Sequence, residues 1–145
     1  RETSRPSPAG RQPAGLGLAW RIELPYTAPP LNLNQMDGKH WAKFTRDKRN
    51  LNEAGYYLAR HLKLPRPILS TVTVELIWWT GTNRVHDADN MAPTLKALLD
   101  GVRKAGVLRD DRGRYVRSAI TTVIELADDP DPEPVARMAL MIRAV

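Results

Sequence analysis

The sequence predicts an α/β (α+β) fold: a single small domain with a mixed β-sheet packed against two main helices, in the order β-α-β-α-β-β. Three observations predict it. Three short segments alternate apolar and polar residues with the period of a strand, and a fourth is rich in β-branched residues. Two longer segments between them repeat apolar residues at three- to four-residue steps, the period of an amphipathic helix. A chain of 145 residues, 42% of them hydrophobic, is long enough to bury a core of its own.

Residues 1–17, RETSRPSPAGRQPAGLG, carry too little apolar surface to offset the entropy of ordering, so a flexible basic arm is expected ahead of a folded domain at 18–145. LAWRIELP reads as a strand with Trp20, Ile22 and Leu24 on one face and Arg21 and Glu23 on the other. YTAPPLNLNQMDG is a loop rich in proline and asparagine. A helix over 39–63 follows, its apolar stripe formed by Trp41, Phe44, Leu51, Ala54, Leu58 and Leu62. Pro65 and Pro67 end it. TVTVELIWW is a strand with Val72, Val74, Leu76 and Trp78 pointing one way. The loop GTNRVH leads to DADN, and Pro93 then suits the first turn of a second helix. Leu95, Leu98, Leu99 and Val102 make its buried stripe, and Gly106 is placed to close it. After the turn RDDRGR, YVRSAITTVIEL is rich in β-branched residues and reads as a strand. The connector ADDPDPEP leads to a last strand, VARMALMIRAV, with Met138, Leu140 and Ile142 on one face.

Composition narrows the chemistry. With 22 Lys and Arg against 16 Asp and Glu, the net charge of +6 favours a polyanionic partner, of which nucleic acid is the commonest. The absence of cysteine removes disulfides, thiolate nucleophiles and cysteine-based zinc sites. His40, His61 and His86 lack metal-ligand spacing. Neither a phosphate-binding glycine loop, nor a dinucleotide fingerprint, nor a serine-hydrolase elbow occurs. Apolar runs are too short to span a bilayer and no signal peptide is visible, so a cytoplasmic protein without a membrane partner is expected.

Against that basic background stands HDADN, with two aspartates one residue apart. In an extended segment residues i and i+2 point to the same side, so Asp87 and Asp89 can present two carboxylates to one point. Magnesium suits such a site, because it takes one or two carboxylates, keeps several waters and accepts phosphate oxygens. Asp110 and Asp111 follow the second helix, so the chain can return a third carboxylate, and Lys96 near the helix start can face a phosphate. A plainer reading also fits: Asp and Asn cap helices, Asp110-Asp111-Arg112-Gly113 is ordinary turn composition, and Lys96, Asp100 and Lys104 are spaced for pairing on an exposed helix face. Asp128, Asp129, Asp131 and Glu133 read as a solvated loop. Candidate DNA contacts are Lys39, Lys43 and Arg46, which share a helix face, together with Arg84, His86 and Asn90 around the acidic motif.

DADN and TLKALLDGVRKAGVLRDD, preceded by LPYTAPPLNLNQ, resemble the RusA family of Holliday junction resolvases over residues 18–145, most specifically over 87–111. The resemblance implies a homodimeric endonuclease that binds branched DNA, cuts four-way junctions in pairs and uses Mg2+, with Mn2+ as a substitute. It assigns Asp87, Asp89 and Asp111 to the metal, Asn90 to the motif's asparagine and Lys96 to the lysine of the following helix. Met91-Ala92-Pro93 departs from the simplest family pattern as an insertion of about one helical turn, which shifts Lys96 along the axis. This longer connection is similar to that of phage and prophage members. Two other functions fit the sequence: a noncatalytic branched-DNA-binding module and a metal-dependent nucleotide phosphohydrolase.

Overall fold

The computed structural model describes residues 17–33, 41–109 and 115–145. The segments expected to be regular form β1 (Ala19–Leu24), α1 (Trp41–His61), β2 (Val72–Trp79), α2 (Ala92–Lys104), β3 (Val116–Ile124) and β4 (Arg137–Ala144). The order is β-α-β-α-β-β, as the sequence predicts. Short 3-10 turns precede α2 at Ala88–Met91 and follow β3 at Leu126–Asp128.

The four strands make one mixed sheet in the order β1-β4-β2-β3. β4 is antiparallel to both β1 and β2, and β3 is parallel to β2. Hence β1, β2 and β3 all run the same way, with β4 inserted between the first two. Both helical connections step across the sheet in the same direction, and right-handed crossovers therefore place both helices on one face. Burial agrees. Trp20, Ile22, Val72, Val74, Leu76, Met138, Leu140 and Ile142 join Leu51, Leu98 and Val102 of the helices in one core. At about 25 cal/mol per Å² of apolar surface removed from water, this two-layer contact is the main stabilising term.

Two glycines set how closely the helices approach. A Cβ on Gly101 would lie 2.0 Å from the Asn52 carbonyl oxygen, and one on Gly55 would lie 2.5 Å from that of Leu98. The buried residues of α1 are accordingly Leu51, Gly55 and Ala59, a stripe at four-residue steps centred on this crossing. The wider stripe expected from the sequence needs correction at its ends: Trp41 is 68% exposed and Leu62 is 41% exposed, both outside the Leu51–Ala59 stretch that holds the buried residues of α1. Gly106, at φ +87°, closes α2 as expected, its N–H donating to the Arg103 carbonyl at 2.9 Å.

Among the described residues no helix covers the opposite sheet face. There Glu75 accepts from Thr122 Oγ1 at 2.6 Å and from Arg143 Nη1 at 2.9 Å. Trp79 lies beneath the guanidinium carbons of Arg21 and Arg137, 5.0 and 4.5 Å from its ring centre. Arg137 also grips Asp129 through two hydrogen bonds of 2.8 and 3.0 Å. The 125–136 connector is thus pinned to the sheet at Asp129, whose side chain is almost fully covered, rather than solvated throughout as expected.

Candidate active site

Because β1, β2 and β3 are parallel, the loops leaving their carboxyl ends gather at one end of the sheet. In open α/β sheets ligands bind in the crevice outside those ends. The DADN motif lies in the loop after β2, and hydrogen bonds tie that loop to both neighbours. On one side, Leu126 N–H donates to the Thr82 carbonyl at 2.8 Å and Ala127 N–H to Asn83 Oδ1 at 2.9 Å. Thr121 Oγ1 of β3 donates to the Ala88 carbonyl at 2.7 Å. On the other side, Trp78 Nε1 donates to the Thr27 carbonyl at 2.9 Å, fixing the loop after β1 beside β2. Thr94 in α2 anchors Leu31 of the same loop from below.

Between these loops is a cleft of about 270 Å³, lined by Asn32, Trp78, His86, Asp87, Asn90 and Met91 among others. The His86 ring lies 4.5 Å from the indole of Trp78 at an interplanar angle of 57°. The Asn90 carboxamide makes no hydrogen bond to the described residues, although its backbone N–H donates to the Asp87 carbonyl at 3.1 Å.

Asp87 is extended, at φ −88° and ψ 115°, and its Oδ1 accepts the Asp89 N–H at 3.0 Å. It therefore caps the 3-10 turn Ala88–Met91 while remaining exposed at the cleft. Asp89 is the second residue of that turn and is also exposed. The alternation expected of an extended segment fails here: at about three residues per turn, i and i+2 no longer point to the same side. The cap joins the Asp87 carboxylate to the Asp89 backbone, not to the Asp89 carboxylate.

Asp110, Asp111, Lys39 and residues 1–16 of the basic arm lie outside the described residues. Among the described residues no group of three or more His, Cys, Asp or Glu gathers around one point. Asp87 and Asp89 supply hard oxygen donors of the type and number magnesium takes from protein, with one Asp87 oxygen held by the cap, so the donor chemistry fits such a cation. Lys96 does not line the Asp87 cleft. It borders a groove between α2 and β3, with Leu95, Leu99, Asp100 and Ala119. Asp100 pairs with Arg103 at 3.1 Å, in place of the lysine pairs that the spacing suggested.

Of the basic residues on α1, Lys43 is engaged by Asp47 at 2.6 Å, while Arg46 is exposed and has no ion-pair partner among the described residues. Arg84 is exposed on the acidic loop itself. Of the polar and aromatic residues lining the cleft, Asn32 and Trp78 are those that sequence reasoning did not single out as site residues. Their signal was present: Asn32 lies in the LNLNQ stretch that carries part of the family resemblance, and Trp78 is the next-to-last residue of the strand that leads into the acidic loop.

No model of a known protein family matches the chain, and no characterised protein matches its sequence. Among the described residues no helix is long and apolar enough to cross a membrane.

Proposed function

We propose that this protein is a Mg2+-dependent, structure-selective endonuclease that resolves four-way DNA junctions by paired incisions, acting in the cytoplasm as a homodimer. The observation that carries the reading is that Asp87 and Asp89 are both exposed on the loop leaving the carboxyl end of β2, in a chain of net charge +6. Clustered negative charge at the centre of a DNA-attracting surface is costly unless a cation neutralises it. Asp87 and Asp89, with Asp111, are the residues that would hold that cation. The cation supplies Lewis-acid stabilisation of charge at the scissile phosphate. Arg46 and Arg84, with Lys39 and Lys43, bind the sugar-phosphate backbone and set its register. Lys96 stands on the same helix that the acidic loop enters and would meet a phosphate reaching past Asp89.

The Asp87 cap favours a second reading, a noncatalytic branched-DNA-binding module whose aspartates serve the loop. A labelled four-way junction incubated with Mg2+ or with EDTA, beside a linear duplex of the same sequence, separates the two. The nuclease cuts the junction in Mg2+ alone and spares the duplex, whereas the module binds and leaves the strands intact.

A further inference from the structure

The cleft beside Asp87 has a composition that metal binding does not require. Two aromatic rings, Trp78 and His86, stand 4.5 Å apart, and Asn32 and Asn90 line the same space. Carboxamides pair with planar groups that offer a donor and an acceptor side by side, as base edges do. The Asp87 carboxylate at the rim disfavours an anion inside the cleft and accepts a hydrogen bond from an amino group. A volume of about 270 Å³ is near the lower end for small-molecule sites, enough for one heteroaromatic ring system rather than a whole nucleotide. The Asn90 carboxamide is uncommitted among the described residues, so it can meet a ligand without giving up a partner within them.

We infer that this cleft receives a single unstacked nucleobase, its ring against Trp78 and His86 and its hydrogen-bonding edge toward Asn90 and Asp87. The inference deepens the proposed reading and rests on it for DNA as the source of the base. A branch point lowers the cost of extrahelical exposure, because a base there lacks a continuous stack on both sides. Adenine is the favoured occupant: it offers the adjacent acceptor and amino donor that a carboxamide binds in bidentate fashion, and an amino group for Asp87. Thymine, without an exocyclic amino group, is the poorest. Holding a base here would fix the neighbouring phosphate relative to the acidic loop, making the cleft a specificity element as well as an anchor.

The test uses the full chain in EDTA and the free 5′-monophosphates of deoxyadenosine and thymidine, with deoxyribose 5-phosphate as the baseless control. NMR follows the indole N–H of Trp78 and the ring protons of His86 through each titration. The expected result is a saturable shift of both residues with deoxyadenosine monophosphate and a response about tenfold weaker for thymidine monophosphate. Asn90→Ala weakens deoxyadenosine monophosphate binding by a similar factor while leaving the remaining spectrum folded, and the baseless control moves neither ring. Absence of any shift, an equal shift with deoxyribose 5-phosphate, or a titration indifferent to Asn90→Ala overturns the inference. Because no metal or junction is involved, a protein that binds the base yet never cuts junctions loses the nuclease reading and keeps the cleft assignment. One that cuts junctions without binding the base does the reverse.

Discussion

The Thr94 hydroxyl closes a two-way bond with the backbone of Leu31, accepting from its N–H at 3.0 Å and donating to its carbonyl at 2.7 Å. Both residues are buried, and 63 positions of chain separate them. The contact holds the loop after β1 against the first turns of α2, and so shapes the cleft from two elements at once. Thr94→Val keeps the side-chain shape and leaves a buried donor and a buried acceptor unpaired. The expected loss of stability is about 2–4 kcal/mol in urea unfolding, with Thr94→Ser close to wild type. Wild-type stability in Thr94→Val would show that this bond does not hold the loop.

Gly101→Ala separates packing from propensity. Helix propensity alone favours alanine by about 1 kcal/mol. The new methyl group would meet the Asn52 carbonyl oxygen at 2.0 Å and the Tyr56 backbone nitrogen at 2.8 Å, and backbone has no rotamer by which to move aside. A net destabilisation of about 3 kcal/mol is expected from overpacking. A stabilised variant would mean that α1 and α2 are not held this closely in solution.

The Arg137 hydrogen bonds to Asp129 hold its carboxyl below the usual carboxylate range, aided by the Asp131 backbone N–H. An unfolded aspartate titrates near about pH 3.9, so the stability from this pair is fully present above that value. It is lost as pH falls through the lower folded value. Asp129→Asn should therefore be less stable than wild type at pH 7, with the two urea midpoints converging in strong acid. A difference that stays constant with pH would remove the ion pair as its cause.

Lys96→Ala tests a residue that stands on the groove between α2 and β3 rather than in the Asp87 cleft. If its ammonium meets a phosphate only as charge develops there, single-turnover cleavage falls by about a hundredfold while junction affinity in EDTA holds. Equal loss of affinity and rate would make it an ordinary backbone contact. No loss of either would leave it an exposed helix residue.

Local periodicity made the secondary structure readable. Trp20, Ile22 and Leu24, or Met138, Leu140 and Ile142, alternate because one sheet face is buried and the other is not. Pro93 and Gly106 mark the limits of α2 because each has a conformational preference that a helix end uses. The insertion of β4 between β1 and β2 has no local signal, since strand order depends on pairing between distant segments. The site divides the same way. Asp87, Asp89, His86 and Asn90 are close in sequence and stand out as a motif, but the sequence does not decide between a cap and an extended pair at the aspartates, because a carboxylate that caps a turn and one on a strand look alike in DAD. Asn32 and Trp78 reach the cleft only through topology, which brings the carboxyl ends of β1 and β2 to the same end of the sheet.

The central claim is that Asp87, Asp89 and Asp111 hold a cation that cuts DNA, and single changes to asparagine test it most directly. Asparagine keeps the size and most of the hydrogen bonding of each aspartate, including the ability to cap at position 87, while removing the charge a hard cation needs. The measurement is single-turnover cleavage of a four-way junction in Mg2+, beside gel-shift affinity in EDTA and a melting curve for each variant. The account predicts folded variants whose cleavage falls by about a hundredfold or more and whose junction affinity without metal holds or tightens, since one negative charge facing the phosphates is gone. Folded Asp87→Asn and Asp111→Asn proteins that cut at the wild-type rate would contradict it.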